Sequence, residues 1–376
     1  MKKFLLFLII IFLAYITAYY TTGITNGYTK IFDFDKISKT LNFDNTSSTE
    51  YEDNIEEISY LQIGIKKLNE KNYDDALSYF FDALNDNDNS ENNYYIGHTY
   101  LFQEKYDDAE YYLDMAIEKD GKNPLIYLDK GIVLYNQKKY DDAINTLYFS
   151  TELNPELAKT YYYLSLCYEK NNQLEVALQS AETALEKDSL YADAWFKAGY
   201  IAFELDSFII SKKNYKKLIQ IDSLNKYGLV NLGLTYSYLE KNDSALLYYN
   251  KTIKLYPKYN LVYNNKGYIF QKQGNYKEAI KTYSKALKLN EEDTRPLWNR
   301  GDCYFELKKY NDAINDFKKV YKINPDYFNT LYQIGECYEK LNDKTNALNY
   351  YKQYQAKATT DGKYYEEVAN KINKLN

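Results

Sequence analysis

The chain has 376 residues, a mildly acidic balance of 47 basic against 53 acidic side chains and a net charge of −6, with 47 tyrosines, three cysteines and one histidine. No global positive field draws it to nucleic acid. Three cysteines are too few for a disulfide scaffold, and a lone histidine has no histidine partner for a zinc site.

In chain order, Met1, Lys2 and Lys3 precede an apolar run over residues 4–20 that is broken only by Thr17. Two lysines followed by an apolar segment form the pattern of an export signal. The 17-residue run is short for a spanning helix and long for a signal-peptide core. No A-x-A cleavage site follows. The expectation is therefore an uncleaved signal anchor over residues 1–23, with a cleaved signal peptide as the alternative. Either places the lysines inside and the rest of the chain beyond the membrane, in the periplasm or at the cell surface, or secreted after cleavage. Residues 24–56 include the polar stretch NFDNTSSTEYEDN at 42–54, which has too few aliphatic side chains to order itself and reads as a flexible linker.

From there a small residue returns at a fixed interval: Gly64, Gly97, Gly131, Ser165, Gly199, Gly233, Gly267, Gly301 and Gly335. A second series follows twelve residues later: Ala76, Ala109, Ala143, Ala177, Ser211, Ala245, Ala279, Ala313 and Ala347. Two series locked in phase over nine turns define a stacked repeat array. Within each unit the apolar positions recur at helical spacing on either side of a polar break, as in Tyr94, Gly97, Tyr100 and Leu101, then Ala109, Leu113 and Ala116. Each unit therefore predicts two helices. A glycine inside a helix costs about 1 kcal/mol, which close helix approach offsets, and the alanine series is expected to supply the facing surface.

The motifs resemble the tetratricopeptide repeat. Ile96-Gly97 with Tyr100, Leu232-Gly233 with Tyr236 and Ile334-Gly335 with Tyr338 match its first helix. Ala76, Phe80 and Ala83, and Ala279, Tyr283 and Ala286, match its second, and Pro155, Pro257 and Pro325 close three units. The resemblance implies an all-α, right-handed superhelical solenoid of about nine helix-turn-helix repeats over residues 57–360. Residues 361–376, with Tyr365, Val368, Ile372 and Leu375 on one stripe, are expected to form a capping helix. The fifth unit departs from the pattern, with Ser211 and Leu218 at its two alanine positions, so its packing is expected to be the least regular.

Nothing in the repeat points to chemistry. Cys167, Cys303 and Cys337 share one slot, two residues after the small residue, and equivalent slots lie a helix pair apart, too far for a disulfide. They read as small core hydrophobes. The acidic pairs Asp74-Asp75, Asp107-Asp108 and Asp141-Asp142 recur in phase at the start of second helices, where they offset the positive helix end. No catalytic residue, metal site or cofactor is expected.

The resemblance further implies that first helices line a concave groove. The positions facing it would be three before the small residue and one, four and five after it. They carry Leu61, Ile65 and Leu68 early, with Tyr94, His98 and Phe102, then Leu128, Ile132 and Tyr135. Tyr162, Phe196, Tyr200, Phe203, Tyr238 and Tyr268 follow, and late in the array come Trp298, Asp302, Phe305, Glu306, Tyr332, Glu336 and Glu339. An apolar groove with an acidic end suits an extended or helical peptide. Acids stand where the carboxylate clamp of the chaperone-tail-binding subfamily needs bases, so an EEVD-like tail is not the expected ligand. The leading expectation is a non-enzymatic scaffold of the cell envelope that binds protein or peptide partners and reaches the membrane through its N-terminal helix. The alternatives are a glycan- or peptidoglycan-binding array and an accessory subunit of an envelope complex.

Overall fold

The computed structural model describes residues 59–359 and 364–375. The expected anchor and linker, residues 1–56, lie outside the described residues. The described chain is nineteen α-helices with no strand, arranged as nine antiparallel pairs followed by one more helix. The pairs are α1 (Tyr60–Asn69) with α2 (Tyr73–Asp86), α3 (Ser90–Phe102) with α4 (Tyr106–Lys119), and α5 (Pro124–Asn136) with α6 (Tyr140–Leu153). Next come α7 (Ala158–Lys170) with α8 (Leu174–Lys187), α9 (Ala192–Glu204) with α10 (Phe208–Ile221), and α11 (Lys226–Tyr238) with α12 (Asn242–Leu255). The last three are α13 (Asn260–Lys272) with α14 (Tyr276–Leu289), α15 (Thr294–Glu306) with α16 (Tyr310–Ile323), and α17 (Asn329–Lys340) with α18 (Lys344–Lys357). The final helix is α19 (Tyr365–Leu375).

The turn between paired helices is built the same way in every unit. In the first, Lys71 has a left-handed φ of 60° and its N–H donates to the Leu68 carbonyl, while the next N–H, of Asn72, reaches back to Lys67. This pair of bonds satisfies the last carbonyls of the helix and reverses the chain. The left-handed position is Gly274 in the seventh unit and a residue with a side chain in the other eight. Asn and Asp side chains then cap several helices; Asn89, for example, accepts from the Asn92 N–H at 2.8 Å.

The glycines face chiefly large side chains and not the alanines, although at Gly97 the Ala109 carbonyl also comes within 3.2 Å of where a Cβ would sit. A Cβ on Gly233 would lie 2.5 Å from Cε1 of Tyr249, sixteen residues on, and Phe80, Leu113, Leu147, Tyr215, Tyr283, Phe317 and Tyr351 fill the same place in their units. The missing side chain makes room for a large ring or a leucine from the second helix. In the fourth unit Ser165 stands at the glycine slot, and the residue at the corresponding place is the small Ala181. The alanines instead look toward the following unit: Ala143 shares a cluster with Cys167, Ala279 with Cys303 and Ala313 with Cys337. The fifth unit shows the register directly, because Ser211 Oγ lies 3.1 Å from Thr235 Oγ1 in the buried interface.

The fifth unit is packed as closely as its neighbours. Ser211 and Leu218 are fully buried. Leu218 fits because the next first helix offers Gly228, where a Cβ would come within 2.7 Å of Leu218 Cδ2. The equivalent pair in the preceding unit is Ala184 and Ala194, both fully buried. One interface thus fills the same space with two alanines and the next with a leucine and a glycine.

The paired acids add a contact between units beyond their place in the first turn. Asp74 accepts from Gln103 at 2.9 Å, Asp107 from Gln137 at 3.1 Å and Asp141 from Asn171 at 2.7 Å. First helices of successive units meet one another along most of the array, while second helices stay further apart. The closer approach puts the first helices on the inner side of the superhelix.

Candidate interaction groove

Early in the groove Tyr94 is buried and stacks on His98 at 5.4 Å, and Phe102 is half exposed over Tyr73. His98 donates from Nδ1 to the buried carboxylate of Asp129 at 2.5 Å, so the only histidine ties the second unit to the third instead of presenting a free imidazole. Leu61, Ile65 and Leu68 are half-buried against the cluster around Phe80, while Leu128 and Ile132 belong to the core.

In the middle, Tyr162 is half-buried between Tyr163 and Tyr191, and burial raises its hydroxyl pKa above the ordinary tyrosine value. Phe196, Tyr200 and Phe203 of α9 line a cavity of about 350 Å³ with Glu169 and Lys197. Lys197 Nζ is 2.7 Å from Glu169 Oε2 and lies over the Tyr200 ring. This wall is therefore aromatic, with Lys197 matched to Glu169 and a second acid, Glu204, beside them. Tyr238 packs edge-on to Phe203 at 4.9 Å.

The late groove is different. Trp298 and Asp302 are one turn apart on α15, and the indole N–H donates to the carboxylate. Trp298 meets Phe317 edge-on at 5.5 Å, and its other side lines a cavity of about 410 Å³ with Asn264, Asn299 and Tyr327. It is both an inter-repeat packing residue and part of the groove surface. Tyr268, Asp302, Phe305 and Glu306 line an adjoining cavity of about 400 Å³ with Tyr276 and Gln333. Burial, and Glu306 nearby, push the Asp302 carboxyl up to about 6, against the opposing hydrogen bond from Trp298.

Tyr332 and Glu336 are not open groove residues. Tyr332 is only 4 % exposed, with the Tyr364 ring stacked on it at 4.2 Å and Glu367 accepting from its hydroxyl at 2.7 Å. Lys371 of α19 sits 3.5 Å from Glu336 and 2.9 Å from Glu339. The last helix covers what would otherwise be the ninth unit's share of the groove. Of the twelve groove residues expected from the sequence, then, Tyr94 and Tyr332 are core, His98 and Glu336 are paired within the chain, Phe196, Tyr200, Tyr268, Trp298, Asp302 and Phe305 line cavities, Phe102 is half exposed and Tyr162 is half-buried. Asn264, three before Gly267, lines a cavity too, as do Asn299 and Gln333, which lie two before their glycines, a slot outside the expected set.

All three cysteines are free and fully buried, and burial pushes each thiol up to about 12, far from a reactive thiolate. Among the described residues no cluster of three metal-ligating side chains occurs, and no helix is long and apolar enough to cross a membrane.

A curved stack of helix pairs with an aromatic and acidic inner face defines a repeat-solenoid class of protein. Tetratricopeptide repeat models match residues 94–150, 164–208, 228–259, 261–293 and 329–358, and a TPR repeat model matches residues 301–342. The chain belongs to the tetratricopeptide repeat family. It is 27 % identical over 221 residues to a TPR repeat-containing protein of Methanocaldococcus jannaschii, covering 58 % of this chain and 34 % of that protein. It is 23 % identical over 158 residues to the Hsp70-Hsp90 organizing protein of Triticum aestivum, covering 42 % and 26 %. The chain thus spans about a third or less of these curated relatives. A tetratricopeptide repeat protein of Parabacteroides merdae is a structural neighbour with a TM-score of 0.49 and 16 % identity, covering 62 % of this chain and 93 % of that one.

Proposed function

We propose that this protein is a non-enzymatic scaffold of the cell envelope, tethered by its N-terminal apolar segment, that holds protein partners along the inner face of its repeats. The observation that carries the reading is the inner face itself. Phe196, Tyr200 and Phe203, and then Tyr268, Trp298 and Phe305, line successive cavities of about 350–410 Å³, as a surface made to take up side chains of another chain would. The wheat relative is named for organising two chaperones, which is also the work of holding proteins together. The export half of the reading rests on Lys2, Lys3 and the apolar run at 4–20.

Two experiments test the two halves. A cysteine placed at Ser47 should label with a membrane-impermeant maleimide in intact cells, after outer-membrane permeabilisation where there is one; labelling only after lysis defeats the envelope reading. N-terminal sequencing separates anchor from cleaved signal, since a start near Ile24 means cleavage. In-cell cross-linking from Tyr200 and Tyr268 should recover defined polypeptides. Recovery of peptidoglycan fragments in their place would favour a glycan-binding array.

A further inference from the structure

The molecule shows twice how its groove takes a cation. Between the fourth and fifth units, Lys197 stands two residues before a glycine slot, reaches back 2.7 Å to Glu169 and lies over the Tyr200 ring. At the end of the array, Lys371 of α19 enters the acids and rings of the ninth unit, 2.9 Å from Glu339 and 3.5 Å from Glu336, with the Tyr332 and Tyr351 rings beside it. In both places an ammonium group is held by carboxylates and aromatic faces.

The eighth unit repeats part of the second arrangement without the lysine, and has Phe305 where the ninth has Glu339. Trp298, Asp302 and Phe317 occupy the positions thirty-four residues before Tyr332, Glu336 and Tyr351, and Glu306 adds a second acid. The position that holds Lys197 in the fifth unit is Gln333 in the ninth, and Gln333 lines the cavity beside Asp302. The only basic side chain on that wall is Lys272 of α13, which is exposed, lies over the Tyr268 ring and makes no ion pair with Asp302 or Glu306 among the described residues. The two acids thus face a space of about 400 Å³ with rings and the exposed Lys272 on its walls, and neither acid is in an ion pair among the described residues.

We propose that this cavity between α13, α15 and α17 receives a lysine or arginine side chain of a polypeptide partner, with its charged head between Asp302 and Glu306 and its stem against Tyr268 and Phe305. The site rests on the reading that the groove holds polypeptides, and it names what one subsite selects. A chain segment fits better than a small free amine because Trp298, one helical turn before Asp302 on α15, lines a second cavity. A residue next to the basic one would enter it. The acids compete poorly for water once enclosed, so a positive side chain that replaces the lost solvation is selected over a neutral one.

The test uses the full chain and a fluorescein-labelled, capped pentapeptide with one lysine between two leucines, followed by anisotropy. Its counterpart carries glutamine for lysine. The lysine peptide is expected to bind at least about tenfold more tightly than the glutamine peptide. Asp302→Asn combined with Glu306→Gln should remove that difference. Gln333→Lys should weaken binding at least about tenfold by pairing with the acids from within, as Lys197 pairs with Glu169, while the circular dichroism melt of this variant stays at or above that of the wild type. No response to the lysine peptide overturns the proposal, as does n-butylammonium binding as tightly as the peptide. Equal binding of both peptides, weakened equally by Trp298→Ala, overturns the cation site and leaves the peptide-groove reading standing.

Discussion

Asp302 carries more consequence than any other single residue on the inner face. Its carboxyl titrates near 6 in the fold because burial, and Glu306 beside it, disfavour the charged form. A folded-state value above the unfolded one means that the folded protein holds this proton more firmly. The contribution is therefore absent below about pH 4, becomes destabilising as pH rises from about 4 to 6, and stays constant above that. Asp302→Asn, which keeps an oxygen for the Trp298 N–H, should stabilise the protein at pH 7 by on the order of 2 kcal/mol, with no gain at pH 3.5. Paired urea titrations at the two pH values check this, and the difference between wild type and variant cancels the other carboxylates. A bound cation should erase the penalty in the wild type. The left-handed turn residues offer a second single-site effect. Lys308 holds a φ of 58° where glycine would carry no Cβ strain, so Lys308→Gly should raise stability by up to about 1 kcal/mol despite the entropy of glycine in the unfolded chain.

Between helices, space is conserved while identity is not. Gly228→Ala places a methyl group on Leu218 and should destabilise the protein by about 1–2 kcal/mol, even though alanine is the better helix former. Adding Leu218→Ala recreates the alanine pair found at Ala184 and Ala194, and the double variant should be more stable than the sum of the two single changes by about 1 kcal/mol or more. Thermal or denaturant melts of all four proteins measure the coupling, and strict additivity would contradict the complementary fit. Gly233→Leu acts within a unit. A side chain there meets the fully buried Tyr249 ring and should cost about 1–3 kcal/mol. The loss of hydrogen-exchange protection should be greatest in α9 to α14, because each unit is supported by its immediate neighbours.

The nine helix pairs are followed by a helix that does two things. α19 buries Val368 and Ile372 against the last pair and sets Lys371 among the acids of the ninth unit. Ending the chain after residue 359 should strip that cover from Tyr332, Tyr351 and Tyr354. Exchange protection should then fall first in α17 and α18 and remain unchanged in α1 to α8, and a uniform loss throughout would contradict nearest-neighbour stability. The same truncation opens Glu336 and Glu339, so the shortened protein should gain a second place for the lysine peptide, read as a doubled stoichiometry. Much of this organisation was legible in the residues. The series from Gly64 to Gly335 and from Ala76 to Ala347 determined the unit length, the helix pairing and the buried slot of the cysteines, while the inner-face positions were implied by the family resemblance. The first three features follow from helical phase, which is local and one-dimensional. Tertiary structure alone decided that the glycines face rings or leucines sixteen residues on, that the alanines look to the next unit, that His98 is bound to Asp129 and that Tyr332 lies under α19. Each of these joins side chains on different helices, and side-chain length and helix approach select the partner, which phase along one helix does not encode. The cavity at Asp302 is of the same kind, since its walls come from three successive first helices, with Gln333 brought beside the acids by the next unit.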